Sequence, residues 1–288
     1  MEILFGIIGM AMLVIIARIF YENSTFHIKH YTISHHKIRK EASGMRIAFL
    51  SDLHSNVYGK GNSKLLQAIL NENPDIVLIG GDMIVGKEGT TMEKVYPLLQ
   101  NLAMHFPVYY ANGNHESRIK FNPEKYEERY WEYESELRKM GITILCNESI
   151  QLPERSITIT GLELDEYYYQ KGKKVVMKEN DMEEYVGESD RQNFQILLAH
   201  HPEFFEQYSN WGADLTLSGH NHGGLVRVPV LGGVISPQYK LFPKYDGGMY
   251  EEGTHKMILS RGLGTHTIRI RLFNVPELCM IELKESEY

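Results

Sequence analysis

The pattern of apolar and polar positions separates one long N-terminal apolar run from many short apolar segments further along the chain. Residues 3–20 carry a single charge, Arg18, and show no polar face. As a helix the run would extend roughly 27 Å at about 1.5 Å per residue, which is enough to cross the hydrocarbon core of a bilayer. We therefore predict a retained transmembrane anchor over residues 1–22.

A cleaved signal peptide is the alternative for this segment, and it would have positive charge before the apolar run and small residues after it. Instead Glu2 precedes the run and the large side chains of residues 18–21 end it. The basic residues that come next are Lys29, Lys37, Arg39 and Lys40. Because positive charge collects on the cytoplasmic side of membrane spans, this distribution predicts that the globular part lies on the cytoplasmic face.

After residue 44 short apolar runs alternate with amphipathic stretches. Strands are predicted over residues 45–50, 76–79, 108–111, 141–146, 156–164, 194–199 and 213–218, and helices over residues 63–71 and 92–102. Such alternation gives parallel strands flanked by helices, with functional sites beyond the carboxyl ends of the strands. We predict one α/β domain over residues 45–288, joined to the anchor by a linker over residues 23–44 that holds at most one edge strand.

Residues 163–191 have the least regular pattern in this domain. They contain tyrosines at 167–169 and lysines at 171, 173 and 174. The segment could be a flap over a site or a solvated insertion, and we favour the insertion.

The composition restricts the possible functions of the chain more than it restricts its possible folds. The chain has 30 basic and 37 acidic residues and a net charge of −7, so no nucleic-acid partner is expected. Cys146 and Cys279 lie far apart and outside any metal-type spacing, and we interpret them as buried apolar residues.

Side chains of the metal-binding type follow the apolar segments at five points. They are Asp52 with His54, Asp82, Asn114 with His115, His200, and His220 with His222. Residues i and i+2 just past a strand end can point to the same side, so Asp52 and His54 could reach one ion. Carboxylate, imidazole and amide groups form the mixed oxygen and nitrogen set that holds paired divalent transition metals in phosphoester hydrolases.

Each of these residues taken singly also has a structural explanation. An aspartate after a strand commonly caps a helix, a lone histidine is usually a satisfied polar residue, and Gly113-Asn114 is a common turn pair. Their repeated occurrence at strand ends is what indicates a single metal centre.

With these residues the chain resembles the calcineurin-like metallophosphoesterases. The matching blocks are residues 51–54, 80–82, 113–116, 197–202 and 219–223, in the order typical of the family. Residues 260–264 and 270–274 are similar to its membrane-associated branch, which includes enzymes of the UDP-2,3-diacylglucosamine pyrophosphatase type. The resemblance covers nearly everything after the anchor.

The resemblance implies a four-layer α-β-β-α sandwich with two divalent metal ions. It assigns one metal to Asp52, His54 and His222. It assigns the other to Asn114, His200 and His220, with Asp82 bridging the two. His201 is the alternative to His200, and the ligand chemistry suits Mn²⁺, Fe or Zn²⁺ without choosing among them.

The resemblance also implies roles around the metals. His115 is the candidate general acid for the leaving oxygen, or a contact to the phosphate. Arg261 could contact a substrate phosphate, with a structural salt bridge as an equal alternative.

These features predict a membrane-anchored phosphodiesterase or pyrophosphatase in which a metal-bridging hydroxide attacks phosphorus. Its substrate would be lipid-linked or nucleotide-linked at the bilayer. The alternatives are a phosphomonoesterase acting on soluble or protein substrates, and a non-catalytic scaffold, which would be expected to lack a ligand or His115. The sequence leaves the native metals and the oligomeric state open.

Overall fold

The computed structural model of the protein describes residues 1–173, 175–224, 226–228, 232–236, 241–265 and 270–286. The α-helices in these residues are α1 (Glu2–Ser24), α2 (Ser63–Glu72), α3 (Tyr96–His105), α4 (Asn114–Phe121), α5 (Pro123–Tyr126), α6 (Arg129–Lys139), α7 (Asp181–Val186) and α8 (Phe205–Trp211). The strands are β1 (His27–His35), β2 (Arg46–Leu50), β3 (Ile76–Ile79), β4 (Val108–Tyr110), β5 (Thr143–Ile144), β6 (Glu148–Leu152), β7 (Ile157–Leu162), β8 (Phe194–Ala199), β9 (Leu215–Ser218), β10 (Val226–Val228), β11 (Gly232–Ile235), β12 (Gly248–Glu252), β13 (His255–Leu259) and β14 (Glu277–Glu285).

The described strands form two six-stranded sheets and a small two-stranded one. The first sheet has the order β1-β14-β2-β3-β4-β5, and the second has the order β12-β13-β9-β8-β7-β6. Strands β2 to β5 are parallel, as are β7, β8, β9 and β13. Parallel neighbours place their carboxyl ends at one edge of each sheet.

The two large sheets pack face to face, and helices cover their outer faces. In β2, Phe49 points into the core between the sheets, whereas Leu50 points into a core shared with Leu65 of α2 and Leu99 of α3. On the other side Leu197 of β8 packs with Tyr208 of α8. Alternate residues of the strands thus enter different cores, because successive side chains point to opposite faces. This arrangement confirms the predicted α-β-β-α sandwich.

The predicted helix over residues 92–102 is displaced toward the C-terminus. Helix α3 begins at Tyr96 and has Pro97 in its first turn, a position where the missing N–H of proline costs no helical hydrogen bond. Met92 and Val95 precede the helix and pack into the outer core of the first sheet. Their burial explains the apolar pattern that extended the prediction.

Residues 27–44, which the apolar pattern assigns to a linker, pack against the domain. Strand β1 pairs in parallel with β14 along all nine of its residues, from His27 to His35. Ile33, Ile38 and Ala42 are buried in the core between the sheets. These contacts favour a domain that begins near residue 26 rather than at residue 45.

Helix α1 extends away from this body for most of its 23 residues. By length and composition it could cross a membrane, and a signal sequence would satisfy the same criteria. Its contact with the rest of the protein is at its C-terminal end, where Glu22 is buried.

Candidate metal centre

The predicted ligands lie at the carboxyl ends of strands in both sheets. Asp52, Asp82 and Asn114 follow β2, β3 and β4 of the first sheet, and His200 and His220 follow β8 and β9 of the second. The eight predicted side chains are each at most 8% exposed, namely Asp52, His54, Asp82, Asn114, His115, His200, His220 and His222. The face-to-face packing of the sheets therefore brings residues that are up to 170 positions apart into one buried cluster.

Most of these ligands occupy a strained backbone conformation. Left-handed φ angles of 46° to 72° occur at Asp52, His54, Asp82, His220 and His222. For residues other than glycine such angles cost about 1–3 kcal/mol each and persist only where the surroundings hold them. Here the N–H of Asp52 donates to Gly81 O at 3.0 Å and the N–H of His54 donates to Asp82 O at 3.0 Å. The two loops thus hold each other in the orientation that aims the side chains inward.

One group of ligand atoms is formed by Asp52, His54 and His222. His222 Nε2 lies 3.2 Å from Asp52 Oδ1 and 3.0 Å from His54 Nε2. Ligand atoms about 2.1 Å from one cation are roughly 3.0–3.4 Å apart in octahedral or tetrahedral geometry. The spacing of this group therefore fits a single divalent ion.

Asp82 lies between this group and the histidines of the second sheet. Its Oδ2 atom is 3.7 Å from His54 Nε2 and 3.2 Å from His200 Nε2. The carboxylate thus faces imidazoles from both predicted sites, as a bridging ligand must. On the far side Asn114 Oδ1 and His220 Nδ1 are 2.9 Å apart.

Two buried imidazole nitrogens in the cluster support a second ion. His220 Nε2 has no hydrogen-bond partner among the described residues, although buried polar atoms are ordinarily paired. His200 Nε2 faces the Asp82 carboxylate at 3.2 Å. His200 Nδ1 donates to Gly80 O at 2.7 Å. That bond fixes the tautomer and leaves Nε2 available for a metal.

The electrostatics of the cluster also suit cations. Burial acts to raise the pKa of Asp52, but the charges of His222 and His200 hold it below its usual range. Burial likewise opposes ionisation of Asp82, and His200 and His115 hold its pKa well below the usual range. Two ionised carboxylates buried together require positive charge beside them, which divalent ions would supply.

His115 presents its outer ring nitrogen to this cluster. Its Nδ1 accepts a hydrogen bond of 2.7 Å from the N–H of Gly86, so the neutral ring carries its proton on Nε2. Nε2 lies 4.0 Å from Asp82 Oδ2. Burial is the main reason that the pKa of His115 falls to about 4. At neutral pH the ring is therefore a neutral hydrogen-bond donor.

Glu116 belongs to the matching block 113–116, but the sequence patterns assigned it no role. Its carboxylate accepts hydrogen bonds from the N–H groups of Asp82, Met83 and Gly113 at 2.8, 2.9 and 3.1 Å. It also accepts one from the hydroxyl of Tyr110 at 2.8 Å. Glu116 thereby ties the Asp82 loop to the Asn114 loop. Its position directly after Asn114 and His115 is the feature of the sequence that could have identified it.

The structure separates the roles of the two adjacent histidines after β8. His200 belongs to a group of ligand atoms with Asp52 and Asp82. His201 Nδ1 accepts a hydrogen bond of 3.3 Å from the N–H of Glu203, at the start of a short 3₁₀ turn. This geometry favours His200 as the ligand.

Arg261 points toward an acid rather than toward the cluster. Its Nε atom is 3.8 Å from Glu277 Oε2, and its backbone N–H donates to Glu277 Oε1 at 3.0 Å. Among the described residues, its side chain makes no hydrogen bond or ion pair with a predicted ligand. The salt-bridge alternative is therefore the better supported one.

The prediction of a solvated insertion over residues 163–191 holds only in part, because many of its described residues are exposed while others pack into a core. Leu164, Tyr168, Met177 and Met182 are buried on the outer face of the second sheet. The ring of Tyr169 lies 5.2 Å from that of His220, 5.1 Å from that of His201 and 6.4 Å from that of His200. Tyr169 of this segment therefore lies beside the candidate metal centre, and Lys174 lies outside the described residues.

Comparison with known families agrees with this geometry. The calcineurin-like phosphoesterase family model matches residues 45–224, which is more than half of the chain. The match contains all of the predicted metal ligands.

Bacterial relatives match over most of their length. The chain is 27% identical to the protein YpbG of Bacillus subtilis (strain 168), over 96% of this chain and 95% of YpbG. It is 27% identical to the metallophosphoesterase YkuE of the same organism, over 89% of this chain and 85% of YkuE. It is also 27% identical to the phosphodiesterase YaeI of Escherichia coli (strain K12), over 85% of this chain and 84% of YaeI.

Proposed function

Because the chain belongs to the calcineurin-like phosphoesterase family, we propose that it hydrolyses a phosphodiester or pyrophosphate bond at the surface of a membrane. One observation carries the proposal. Asp82 Oδ2 lies between His54 Nε2 and His200 Nε2, at 3.7 and 3.2 Å. A buried carboxylate shared by two groups of ligands is the arrangement that a two-metal phosphoesterase requires.

The residues divide into two proposed metal sites that share Asp82. One site consists of Asp52, His54 and His222, and the other of Asn114, His200 and His220. Two bound divalent ions would supply water activation at neutral pH and neutralise negative charge on the phosphoryl oxygens. The mixed oxygen and nitrogen ligands suit Mn²⁺, Fe or Zn²⁺.

His115 and Tyr169 complete the proposed site without binding metal. The N–H at His115 Nε2 would donate a hydrogen bond to a phosphoryl oxygen or to the leaving oxygen, because Nδ1 is occupied by Gly86 N–H at 2.7 Å. The Tyr169 ring stands against the imidazole of His220 with 5.2 Å between centroids. It would limit the space open to the leaving group and exclude water.

A diester or pyrophosphate substrate is preferred to a monoester because the matched relative YaeI is named a phosphodiesterase. A membrane location for the substrate rests on helix α1, whose apolar run ends at Phe20 and Tyr21, with exposed fractions of 72% and 53%. Aromatic side chains favour the headgroup region of a bilayer. The phosphoester would then be lipid-linked or nucleotide-linked, and we propose the cytoplasmic face from the basic residues that follow.

The first test uses the full-length protein in detergent, stripped of metal and reconstituted with Mn²⁺. Hydrolysis of a bis-aryl phosphodiester is compared with hydrolysis of the aryl monoester, and an Asp82→Asn variant serves as the control. Preferential diester cleavage that the variant loses is the expected result. Preference for the monoester would favour a phosphomonoesterase instead. Bound metal without turnover of either compound, or of lipid-linked diesters, would refute the catalytic proposal.

A further inference from the structure

The end of helix α1 is joined to a metal ligand by two hydrogen-bonded steps. Glu22 is fully buried, although most of its helix is exposed. Its carboxylate accepts hydrogen bonds from the backbone N–H groups of Phe273 at 3.1 Å and Asn274 at 2.9 Å. The side-chain Nδ2 of Asn274 then donates to the carbonyl oxygen of His222 at 2.6 Å.

The loop after His222 packs closely against the side chain of Asn274. Gly223 has φ +74°, and a Cβ atom added there would lie 2.2 Å from Asn274 Oδ1. Asn274 Nδ2 also reaches Gly224 O at 3.4 Å. Since Nδ2 faces two carbonyl oxygens, it can act there only as a donor. Asn274 therefore supports the backbone of His222, whose own φ of 50° is strained.

The same segment also reaches the Asp52 side of the centre. The buried Arg271 donates from Nη1 to Asn274 O at 3.2 Å and from Nη2 to Arg261 O at 2.8 Å. Further along that loop the N–H of Gly264 donates to Asp52 O at 2.6 Å. In the part of the chain that the structure describes, no hydrogen bond of Glu22, Arg271 or Asn274 reaches Asn114, His200 or His220.

We propose that Glu22 is a positioning residue for the metal site of Asp52, His54 and His222, acting through Asn274. Outer residues that orient metal ligands commonly change metal affinity by about 10- to 100-fold. The N-terminal helix would then support the proposed metal centre in addition to anchoring the protein in a membrane. This inference rests on the proposed dimetal function, because it assumes that this site binds a cation.

A purely structural role for Glu22 is the competing explanation. A buried carboxylate needs partners in any case, and Arg18 Nε also contacts Glu22, at 2.6 Å. Removal of such a group could destabilise the whole protein without any preference between the metal sites. The two explanations differ in whether metal affinity falls at one site or at both sites.

The test is a Co²⁺ titration of the full-length, metal-free protein in detergent, followed by visible absorption. Reference variants His222→Ala and Asn114→Ala assign the spectral bands to the two sites. Glu22→Gln replaces one acceptor oxygen by an N–H group that faces a backbone N–H. Asn274→Asp replaces the donor by an oxygen that faces His222 O. For both variants we expect the Kd of the Asp52 site to rise at least about 10-fold, with much less change at the other site.

Asp214→Asn is the matched control for loss of stability. Asp214 is a buried carboxylate that accepts a backbone hydrogen bond from Gln195 at 2.8 Å, and it lies at the amino end of β9, opposite His220. We expect this variant to lower the thermal midpoint and to leave both Kd values unchanged.

Two results would overturn the positioning role. One is an equal loss of affinity at both sites in Glu22→Gln, and the other is unchanged affinity in both Glu22→Gln and Asn274→Asp. If the unsubstituted protein bound no Co²⁺, the dimetal function would fail together with the inference. If it bound two ions but hydrolysed no phosphoester, only the proposed reaction would be refuted.

Discussion

Glu116 Oε2 accepts a hydrogen bond of 2.8 Å from the backbone N–H of Asp82. A buried acid outside the predicted ligand set therefore holds the residue that faces both proposed metal sites. The same carboxylate accepts a hydrogen bond from the N–H of Gly113 at 3.1 Å, so it also sets the distance between two ligand loops. This relationship makes Glu116 a point at which both sites can be disturbed by one substitution.

Substitution Glu116→Gln should weaken metal binding at both sites. The amide would place an N–H group against backbone N–H groups and loosen the Asp82 loop, at a cost of about 10- to 100-fold in metal affinity. Metal titration and kcat would be measured together. The control is Asp181→Asn, a buried acid that accepts a hydrogen bond from Tyr168 at 2.7 Å and, among the described residues, has no hydrogen bond to the Asp82 loop. Equal effects of the two substitutions would contradict a specific role.

Substitutions of Asp82 and Asp52 should differ in how many sites they affect. Asp82→Asn removes the proposed bridge, so we expect both metals to bind weakly and turnover to be abolished. Asp52→Asn should weaken mainly the site shared with His54 and His222. The two variants would be compared by metal stoichiometry from elemental analysis and by turnover with Mn²⁺. Retention of two metals and of activity in Asp82→Asn would remove its assignment as the bridge.

Loss of the His115 side chain should slow hydrolysis while metal remains bound. Loss of one hydrogen-bond donor to a developing oxyanion costs about 10²- to 10³-fold in kcat, and His115→Ala should lose most with substrates that have poor leaving groups. The measurement is kcat for a series of aryl diesters of increasing leaving-group pKa, with metal content determined on the same samples. A uniform loss across the series would indicate a phosphate contact, and normal turnover would exclude both roles.

Two N-terminal truncations should show where the folded domain begins. A fragment that begins at residue 26 keeps β1 and should fold as a soluble domain. A fragment that begins at residue 45 loses Ile33 and Ile38, and burial of such a side chain is worth about 1.5–3 kcal/mol. It also leaves the edge of β14 unpaired, which favours aggregation. Thermal unfolding and size-exclusion chromatography would compare them. Equal stability of the two fragments would show that residues 26–44 are a linker after all.

The candidate ligands could be identified from the sequence because their signals are local, and their binding of metal stays a prediction. Asp52, Asp82, Asn114, His200 and His220 each follow a short apolar run, and parallel strands must end at the same edge of a sheet. The same local pattern predicted the alternation of strands and helices, and the resemblance to a known family supplied the four layers. None of these inferences needed a contact between distant segments.

What only the tertiary structure decided depends on pairing across long stretches of chain. The sequence allowed one edge strand in the predicted linker, and β1 is the edge strand of the first sheet. Its pairing could not be predicted, because its partner β14 lies about 250 residues away and β1 has an irregular pattern of buried positions. Three other features also depend on contacts between distant segments. They are the contact of Tyr169 with His220, the hydrogen bonds of Glu116 to the Asp82 loop, and the path from Glu22 through Asn274 to His222. An isolated polar or aromatic residue has no periodicity, so its partner becomes known only when the chain has folded and brought the two together.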